Sequence, residues 1–489
     1  MENFNKIYCI GIGGIGVSAL SRLFFAQGKK VSGSDLRKSQ ITESLEQTGI
    51  KVIIGQKAEN LTALKPDLVI YSEDVSDTSS GFAELEAAKK LGATILTQAE
   101  AVGLLMNGQY GIGVTGTNGK STTTAMLGLI LEKADLDPTV LLGTMLSPKN
   151  ETAEFKANAR FGQSKYFVAE SDEYRRKMLK NHPQMIVVTN IAEDHLDYYK
   201  NLEDIKNAFL EYVKSLPAGG MVIYNADDHN AVEVCRQATC HKFTFGIKHY
   251  ADLQAINLKT ENGKQFFDLH LNDEKIGLPT RQDGPARLDS ESVSGRLPAL
   301  QAGEFELQVP GHFNVSNALG AGLAAMKLGV PIETIKQSLA GFAGTWRRFE
   351  VVGAINGKPV VSDYAHHPAG VAATIEAATE FYPGKKILVV FQPHHRNRTQ
   401  KLLKEFVEAL VKADEVILPE IFDVAGREHG EQISSSNLAE ELRLLGEKAS
   451  FAPNLDAAEA MIKGRLDEFD VILMMGAGDI DTLARRMAK

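Results

Sequence analysis

Short runs of apolar residues alternate with amphipathic segments of helical period along the first hundred residues. Apolar positions with helical spacing cover 17–27, directly after the first apolar run. Strands that alternate with helices are typical of a parallel sheet. The pattern therefore predicts an α/β unit that ends near residue 107, with helical segments between strands at 6–10, 29–33, 67–71 and 93–97.

The next segment continues this alternation and then changes in texture. A strand at 110–116 precedes a glycine-rich turn and a helix that runs to residue 134. Residues 281–300 are polar and have no periodicity, which predicts a long surface loop or insertion. The other predicted elements are strands at 165–170, 185–190 and 221–225, hairpin-like alternation near 264–271 and 304–309, and helices at 202–215, 314–328 and 332–341.

A third unit begins near residue 345 and repeats the α/β alternation. The predicted strands are 359–362, 387–391, 415–419 and 470–475, and the predicted helices are 367–381, 399–412, 436–446 and 479–488. This order is typical of a doubly wound sheet. The sequence thus predicts an α/β protein of three domains, over residues 1–107, 108–344 and 345–489.

The amino-acid composition of the chain argues against some classes of binding partner. The chain of 489 residues carries 53 Lys and Arg against 62 Asp and Glu, a net charge of −9. Nucleic-acid-binding proteins usually show a basic surface, so we expect no nucleic-acid partner. No apolar run approaches the roughly 20 residues that span a bilayer, and the three cysteines lack metal-site spacing. We therefore expect a cytoplasmic protein without a membrane partner, and no pattern indicates its oligomeric state.

A glycine-rich turn follows the first strand. Gly11, Gly13, Gly14 and Gly16 form a GxGxxG motif between a strand and a helix, and Asp35 stands at the end of the next strand. Glycines allow close approach of the backbone, and a helix N-terminus attracts a diphosphate. The motif predicts binding of a diphosphate-bearing nucleotide, NAD or another, with a purely structural turn as the alternative.

A second glycine-rich turn, GTNGKST, precedes the long helix of the middle unit. The strict P-loop pattern fails because Val114 stands where it requires a glycine. The chemistry is retained, since backbone N–H groups would cradle phosphates, Lys120 would neutralise them and Ser121 would bind Mg²⁺. The sequence therefore predicts a nucleotide phosphate site formed by Gly116, Thr117, Asn118, Gly119, Lys120, Ser121 and Thr122.

Acidic side chains and a histidine follow two predicted strands of the same unit. Glu170, Asp172 and Glu173 come after one strand, and His195 comes after the next. The carboxyl ends of strands line the ligand crevice of an open α/β sheet, and oxygen ligands suit Mg²⁺ beside phosphates. We predict a Mg²⁺ site here, while a surface or helix-capping role remains the alternative for the histidine.

Polar residues of later segments extend the candidate site. Asn314 and Asn317 share one helix face and could read an adenine edge, although Asn314 could equally cap the helix. Arg348 could reach a γ-phosphate, and Asp363 could contact a ribose or a metal ion. Arg398 lies in a turn with a second arginine and two histidines, which is either a carboxylate-binding loop or a solvated basic loop.

Taken together, these motifs resemble the Mur ligase family, in order and over almost the whole chain. They are GIGGIG (11–16) with SGSD (32–35), GTNGKST (116–122), AESDE (169–173), TNIAEDHLD (189–197), GHFNVSNA (311–318), RRFE (347–350), DYAHHP (363–368), FQPHHRNRTQ (391–400) and MGAGDI (475–480). The resemblance implies a Rossmann-like N-terminal domain for a UDP-sugar, a central P-loop ATPase-type α/β domain, and a Rossmann-like C-terminal domain for an amino acid.

The resemblance also implies a reaction and the residues that perform it. The reaction is ATP-dependent ligation of L-alanine to UDP-N-acetylmuramate through an acyl phosphate, with Mg²⁺, in peptidoglycan precursor synthesis. The implied catalytic residues are Lys120, Glu170, His195, Arg348 and His366. The implied ligand contacts are Gly11, Gly13, Gly14, Gly16, Asp35 and Ser72 for the UDP-sugar, Ser121, Glu170 and His195 for Mg²⁺, Asn314, Asn317, Arg348, Asp363 and Tyr364 for ATP beyond the phosphate turn, and His366 and Arg398 for the amino acid.

The chain departs from the family pattern at several positions, and three alternatives stay open. Glu73 and Asp74 stand where a diphosphate-binding loop is expected, and Tyr174 stands where serine is usual. The same tyrosine occurs in the ligase that joins a murein tripeptide to this nucleotide sugar, which is the first alternative. The others are an NAD-dependent oxidoreductase built on the first glycine turn and a nucleotide-gated binding protein without catalysis.

Overall fold

The computed structural model describes residues 3–152, 154–195, 198–261, 263–271, 301–422 and 433–488. The insertion predicted at 281–300 lies outside the described residues. The chain divides into two compact units. The first comprises Met1–Asn257, Phe267–Phe305 and Val315–Phe342, and the second comprises Leu258–Phe266, Glu306–Asn314 and Ala343–Lys489.

The first unit begins with a five-stranded parallel sheet. Its strands are β1 (Lys6–Ile10), β2 (Lys30–Asp35), β3 (Lys51–Ile54), β4 (Leu68–Tyr71) and β5 (Thr94–Thr97), and its helices are α1 (Ile15–Ala26), α2 (Gln40–Gln47), α3 (Glu59–Leu64), α4 (Phe82–Lys90) and α5 (Gln98–Met106). The strand order is β3-β2-β1-β4-β5. The prediction of only helix between the second and third expected strands is wrong, because edge strand β3 lies there. Its residues are exposed or half-buried, so no buried apolar run marks it.

The second sheet contains the strand that precedes the phosphate-binding motif. Its strands are β6 (Tyr110–Thr115), β7 (Thr139–Leu141), β8 (Phe155–Lys156), β9 (Ala159–Arg160), β10 (Tyr166–Glu170), β11 (Met185–Val188), β12 (Met221–Asn225), β13 (His241–Gly246), β14 (Leu253–Glu261), β15 (Lys264–Leu271) and β16 (Gln301–Leu307), and its helices are α6 (Lys120–Lys133), α7 (Leu202–Lys214), α8 (His229–Cys235), α9 (His312–Lys327) and α10 (Ile332–Ala340). Central β6 is parallel to both β10 and β11, so the three chain segments that follow these strands meet at one sheet edge. The sequence did not predict β7, β8 or β9, since strands of two or three residues carry no local pattern.

The sheet of the second unit has six strands. They are β17 (Glu350–Ile355), β18 (Lys358–Asp363), β19 (Ile387–Phe391), β20 (Glu415–Pro419), β21 (Ala449–Ala452) and β22 (Val471–Met475), and the helices are α11 (Pro368–Phe381), α12 (Arg396–Lys401), α13 (Leu403–Leu410), α14 (Ser435–Leu444), α15 (Leu455–Gly464) and α16 (Ile480–Met487). The order is β17-β18-β22-β19-β20-β21, with β17 antiparallel to β18 and the other pairs parallel. The prediction of one helix over 399–412 is wrong, because the helix breaks at Leu402 between α12 and α13.

Apolar clusters hold these layers together. In the first unit, one cluster contains Ile7 and Phe24 of the first sheet layer together with Leu141 and Phe167 of the second sheet. The two sheets of this unit therefore share a continuous core, which fixes the start of α1 relative to the end of β10. Within the described ranges, no helix is both long enough and apolar enough to cross a bilayer.

Candidate active site

The first glycine-rich turn joins β1 to α1 and is closed by a carboxylate. Gly11 has a φ of +75°, a conformation that favours glycine. Gly13 N donates a hydrogen bond to Asp35 Oδ2 at 2.8 Å. A Cβ atom on Gly13 would lie 2.8 Å from the same oxygen, so the turn also needs glycine at this position. Among the residues predicted to hold the UDP-sugar, Asp35 thus binds the turn itself.

A cavity of about 260 Å³ opens beside this turn and extends to the second sheet. Gly14 and Gly16 line it at the start of α1, and Ser72 lines it just after β4. Glu170 and Asp172, at the end of β10, line it from the second sheet. The cavity therefore connects the predicted sugar-nucleotide turn with the acidic segment that follows β10.

The second glycine-rich turn joins β6 to α6. Gly116 and Gly119 have φ values of +136° and +87°. Thr117 N donates to Asn190 O at 2.9 Å, and Asn118 N donates to Asn190 Oδ1 at 3.0 Å. Asn190 follows β11, so it ties the phosphate turn to the neighbouring strand. Its position at the end of a predicted strand places it at the expected ligand crevice, but its contacts with the turn are seen only in the structure.

An asparagine of α9 also contacts the phosphate turn. A Cβ atom on Gly119 would collide with Asn317 Oδ1, so Asn317 lies directly beside this turn. Asn314, the other asparagine predicted at the adenine, donates from Nδ2 to Pro310 O at 2.7 Å and is buried. The first contact adjoins the predicted ATP site, and the second bonds the chain just before α9.

Lys120 is held by its own turn and by one carboxylate. Its Nζ donates to Gly116 O at 2.6 Å, to Thr117 O at 3.2 Å and to Glu173 Oε1 at 3.0 Å. An ammonium group has three donors. A phosphate that binds Lys120 would therefore have to replace one of these three acceptors.

Ser121 pairs with one of the carboxylates predicted as a metal ligand. Ser121 Oγ donates to Glu170 Oε2 at 2.7 Å, and Gly143 N donates to the same oxygen at 3.0 Å. Thr122 is buried in the first turn of α6. The structure thus brings together Ser121 and Glu170, as a shared Mg²⁺ site requires.

His195 lies in a different acidic group. One ligand atom each of Asp172, Glu173 and His195 lies within 4.8 Å of the others. His195 Nε2 is 3.8 Å from Glu173 Oε1, and its ring stacks on Tyr174 with centroids 4.5 Å apart. Glu170 is not among the three residues of this group. Two carboxylates with an imidazole can hold a divalent cation, and oxygen ligands suit Mg²⁺.

Burial and charge set the protonation of this group. Burial raises the pKa of Glu173, Lys120 opposes that rise, and Asp172 adds to it. Burial alone would lower the pKa of Lys120, but the charges of Glu173, Asp172 and Glu170 outweigh it and raise that pKa. Lys120 therefore stays charged, and a further cation beside Glu173 would favour its ionised form.

The carboxylate of Asp363 in the second unit forms hydrogen bonds with other residues of the protein. It accepts hydrogen bonds from Phe349 N and Ala365 N, both at 2.7 Å, and from Thr374 Oγ1 at 3.3 Å. Burial raises the pKa of Asp363, and Arg348 opposes that rise. These bonds fix the chain on both sides of β18, so Asp363 supports the neighbouring site residues.

The other predicted residues of the second unit lie close to one another. The Arg348 guanidinium is 5.1 Å from the centroid of the Tyr364 ring. His366 Nδ1 is 2.9 Å from Tyr364 O, and the rings of His366 and His394 are 6.0 Å apart. Arg398 lies in α12, whose N-cap is His395. The structure thus groups Arg348, Tyr364 and His366 around the end of β18.

Comparisons with known proteins agree with this architecture. Family models match over residues 6–110 ("Mur ligase family, catalytic domain"), 114–325 ("Mur ligase middle domain") and 347–478 ("Mur ligase, glutamate ligase domain"). A protein of Clostridium kluyveri called UDP-N-acetylmuramate–L-alanine ligase is 38% identical over 97% of this chain and 96% of its own length. The chain belongs to the Mur ligase family. The Rossmann-like sheets and the central phosphate-binding domain expected from the resemblance are confirmed.

Two solved structures place the fold within the Mur ligases. The UDP-N-acetylmuramate–alanine ligase MurC of Thermotoga maritima matches with a TM-score of 0.78 and 28% identity, covering 99% of this chain and 98% of its own. A murein peptide ligase of Psychrobacter arcticus matches with a TM-score of 0.70 and 23% identity, covering 98% and 97%. The second likeness shows the shared fold.

Proposed function

We propose that this Mur ligase joins L-alanine to UDP-N-acetylmuramate, with conversion of ATP to ADP and phosphate, in the synthesis of peptidoglycan precursors. The observation that carries the proposal is the cavity in the first unit. It is lined by Gly14 and Gly16 at one side and by Glu170 at the other, and Glu170 holds Ser121 of the phosphate turn. A nucleotide sugar bound at the first glycine turn would therefore place its acid group beside the phosphate turn.

The chemistry explains why a phosphate site must adjoin the sugar site. A carboxylate does not react with an amine, because its leaving group would be oxide. Transfer of the γ-phosphoryl group forms an acyl phosphate, the amine attacks its carbonyl carbon, and the C–O bond to phosphate breaks. Lys120 would neutralise charge on the transferring group, and the rigid turn would align it.

Two groups of residues would hold magnesium ions. Ser121 with Glu170 form one, and Asp172, Glu173 and His195 form the other. Mg²⁺ supplies positive charge to phosphate oxygens during transfer. The family resemblance pairs His195 with Glu170 at the second ion, and that pairing stays a prediction beside the grouping of His195 with Asp172 and Glu173.

The remaining roles stay proposals of the same kind. Arg348, Asp363 and Tyr364 would complete the ATP site, with Asn314 and Asn317 on the adenine side. His366 and Arg398 would receive the amine and carboxylate of the amino acid. The domain limits of 1–107, 108–344 and 345–489 and the cytoplasmic location also remain predictions.

L-alanine is favoured over a murein tripeptide as the acceptor. The relative of Clostridium kluyveri and the structure of Thermotoga maritima are both named as alanine ligases, at 38% and 28% identity. Tyr174 is the residue that favours the tripeptide ligase, and its ring packs on His195 with centroids 4.5 Å apart. An oxidoreductase would leave Lys120 and its acidic partners without a role.

The test is ADP release with UDP-N-acetylmuramate, ATP and Mg²⁺, with L-alanine, glycine, L-serine or the murein tripeptide added in turn. We expect release that depends on L-alanine, together with a product whose mass is that of UDP-N-acetylmuramyl-L-alanine. Lys120→Ala should lower turnover by about 100-fold or more, because it removes a positive charge that stabilises the transition state. The variant should still fold, as its thermal unfolding would show. Turnover with the tripeptide alone, or full turnover by Lys120→Ala, would contradict the proposal.

A further inference from the structure

Three consecutive cations follow the acidic motif in an unusual backbone conformation. Arg175 and Arg176 have φ values of +53° and +57°, inside the 3₁₀ turns of Tyr174–Lys180. A non-glycine residue in this left-handed region is less stable than in ordinary backbone conformations. Two adjacent strained residues are retained only where the surroundings hold them, so their contacts indicate what the strain achieves.

The strain directs the three side chains to three different places. Arg176 forms ion pairs with Asp204 and Glu211 of α7, at 3.2 and 2.8 Å. Arg175 Nη1 donates to Glu73 O at 2.8 Å, in the segment after β4. Lys177 Nζ donates to Asp172 Oδ2 at 3.1 Å and lines the cavity.

The cavity has an uneven distribution of charge. Glu73, Asp74, Glu170 and Asp172 contribute carboxylates to its wall. Among the described residues that line it, Lys177 is the only cation. An anionic substrate that enters this cavity in the absence of bound Mg²⁺ meets these acidic residues, and Lys177 is the side chain that would attract it.

We propose that Lys177 is a substrate-binding residue that recognises the free carboxylate of the nucleotide sugar acid and thereby sets specificity for it. The inference rests on the proposed function, because it takes UDP-N-acetylmuramate as the ligand. Lys177 donates a hydrogen bond to Asp172, and an ammonium group has three donors, so a second carboxylate can bind beside the first. Its side chain keeps 22% of its surface exposed, so a ligand can reach it.

The place of Lys177 fits the need of the reaction. It follows the acidic motif and lines the same cavity as Glu170, which is bonded to Ser121 of the phosphate turn. A carboxylate held by Lys177 would thus remain near the groups that handle phosphate. The acids after β4, which depart from the family pattern, line the same cavity as Lys177.

The test compares two nucleotide sugars that differ by one acid group. UDP-N-acetylglucosamine has a free 3-hydroxyl in place of the 3-O-lactyl group of UDP-N-acetylmuramate and so lacks its carboxylate, and the two ligands are otherwise the same. We expect Lys177→Gln to raise the Kd of UDP-N-acetylmuramate by roughly 10- to 100-fold, as for loss of a charged hydrogen bond. The Kd of UDP-N-acetylglucosamine, measured by competition calorimetry without ATP, should stay within about 2-fold.

Matched variants separate recognition from structure. Lys180→Gln removes a neighbouring exposed cation that pairs with Glu100, and it should leave both Kd values unchanged. Lys177→Arg keeps the charge and should retain part of the preference for the acid. An equal loss for both sugars, an unchanged preference in Lys177→Gln, or no preference in the wild-type enzyme would each overturn the inference. Failure of the wild-type enzyme to form product with L-alanine would instead overturn the proposed function.

Discussion

At the scale of single residues, the phosphate turn depends on positions that accept no Cβ atom. Gly116 combines a φ of +136° with close neighbours, since an added Cβ would lie 2.9 Å from Asn190 O and 3.0 Å from Asn190 N and would collide with Thr189 Oγ1. Gly108 has a φ of +83° with nothing within 4 Å. Substitutions at these two glycines therefore distinguish the effect of backbone strain alone from the combined effect of strain and steric crowding.

Substitution of these two glycines should have unequal effects. Gly108→Ala carries only backbone strain, so we expect a loss of about 1 kcal/mol in unfolding free energy. Gly116→Ala adds a collision with backbone that cannot rotate away, so we expect a loss larger by about 1–3 kcal/mol. Gly116→Ala should also lose ATP binding, measured by calorimetry, while Gly108→Ala keeps it. Similar unfolding temperatures and ATP affinities for the two variants would show that the turn is not constrained in this way.

Individual site residues were predictable where a motif carries the chemistry. Lys120, Ser121 and Glu170 follow from the glycine turn and the acidic motif, and the structure brings them together. The sequence predicted His195 at the sheet edge with Glu170, Asp172 and Glu173, but not which of these carboxylates it approaches, because that depends on how two loops fold. Lys177 had no signal at all, since two left-handed residues before it decide where it lies.

At the scale of secondary-structure elements, one buried carboxylate links several elements of the first sheet layer by hydrogen bonds. Glu84 of α4 is fully buried and accepts hydrogen bonds from Tyr8 OH at 2.8 Å and Asn60 Nδ2 at 2.7 Å. Ser34 Oγ and Lys57 N donate to it as well. Four donors from β1, β2 and the segment after β3 thus converge on one side chain.

Glu84→Gln should destabilise the protein by about 2–4 kcal/mol. The amide nitrogen of glutamine is itself a donor and cannot accept the hydrogen bonds that one carboxylate oxygen of Glu84 accepts. At least one buried donor therefore loses its acceptor. Glu86→Gln is the control, because Glu86 forms only an exposed pair with Lys89, and it should change stability by less than about 1 kcal/mol. Thermal unfolding monitored by circular dichroism gives the comparison. Equal unfolding temperatures would mean that this bond network contributes little.

The sequence predicted those helices and strands whose own residues show an uninterrupted apolar run or a clear helical period. Central strands such as β6, β11 and β19 are continuous apolar runs, and each was predicted at its place. The edge strands β3, β17 and β21 were missed, because none of them is a fully buried apolar run like those of the central strands. β17 carried a usable signal, since Asn356 and Gly357 both have positive φ and form the turn that leads to β18.

At the scale of the whole molecule, the proposed site of the reacting carboxylate is a cavity formed within one compact unit. The shared core of the two sheets in that unit fixes both walls of the cavity. The sequence predicted both glycine turns but not the cavity, because its shape depends on the packing of α1 against the second sheet. Activation of the sugar acid by ATP is the central claim that follows.

The most direct test of this claim is transfer of oxygen from the sugar acid to phosphate. UDP-N-acetylmuramate labelled with ¹⁸O in both carboxylate oxygens is converted with ATP, Mg²⁺ and L-alanine, and the phosphate and product are analysed by mass spectrometry. An acyl phosphate predicts one ¹⁸O in each phosphate released and one in the new amide. Unlabelled phosphate, with ATP hydrolysed by water, would contradict activation of the carboxylate and leave only a nucleotide-driven binding protein.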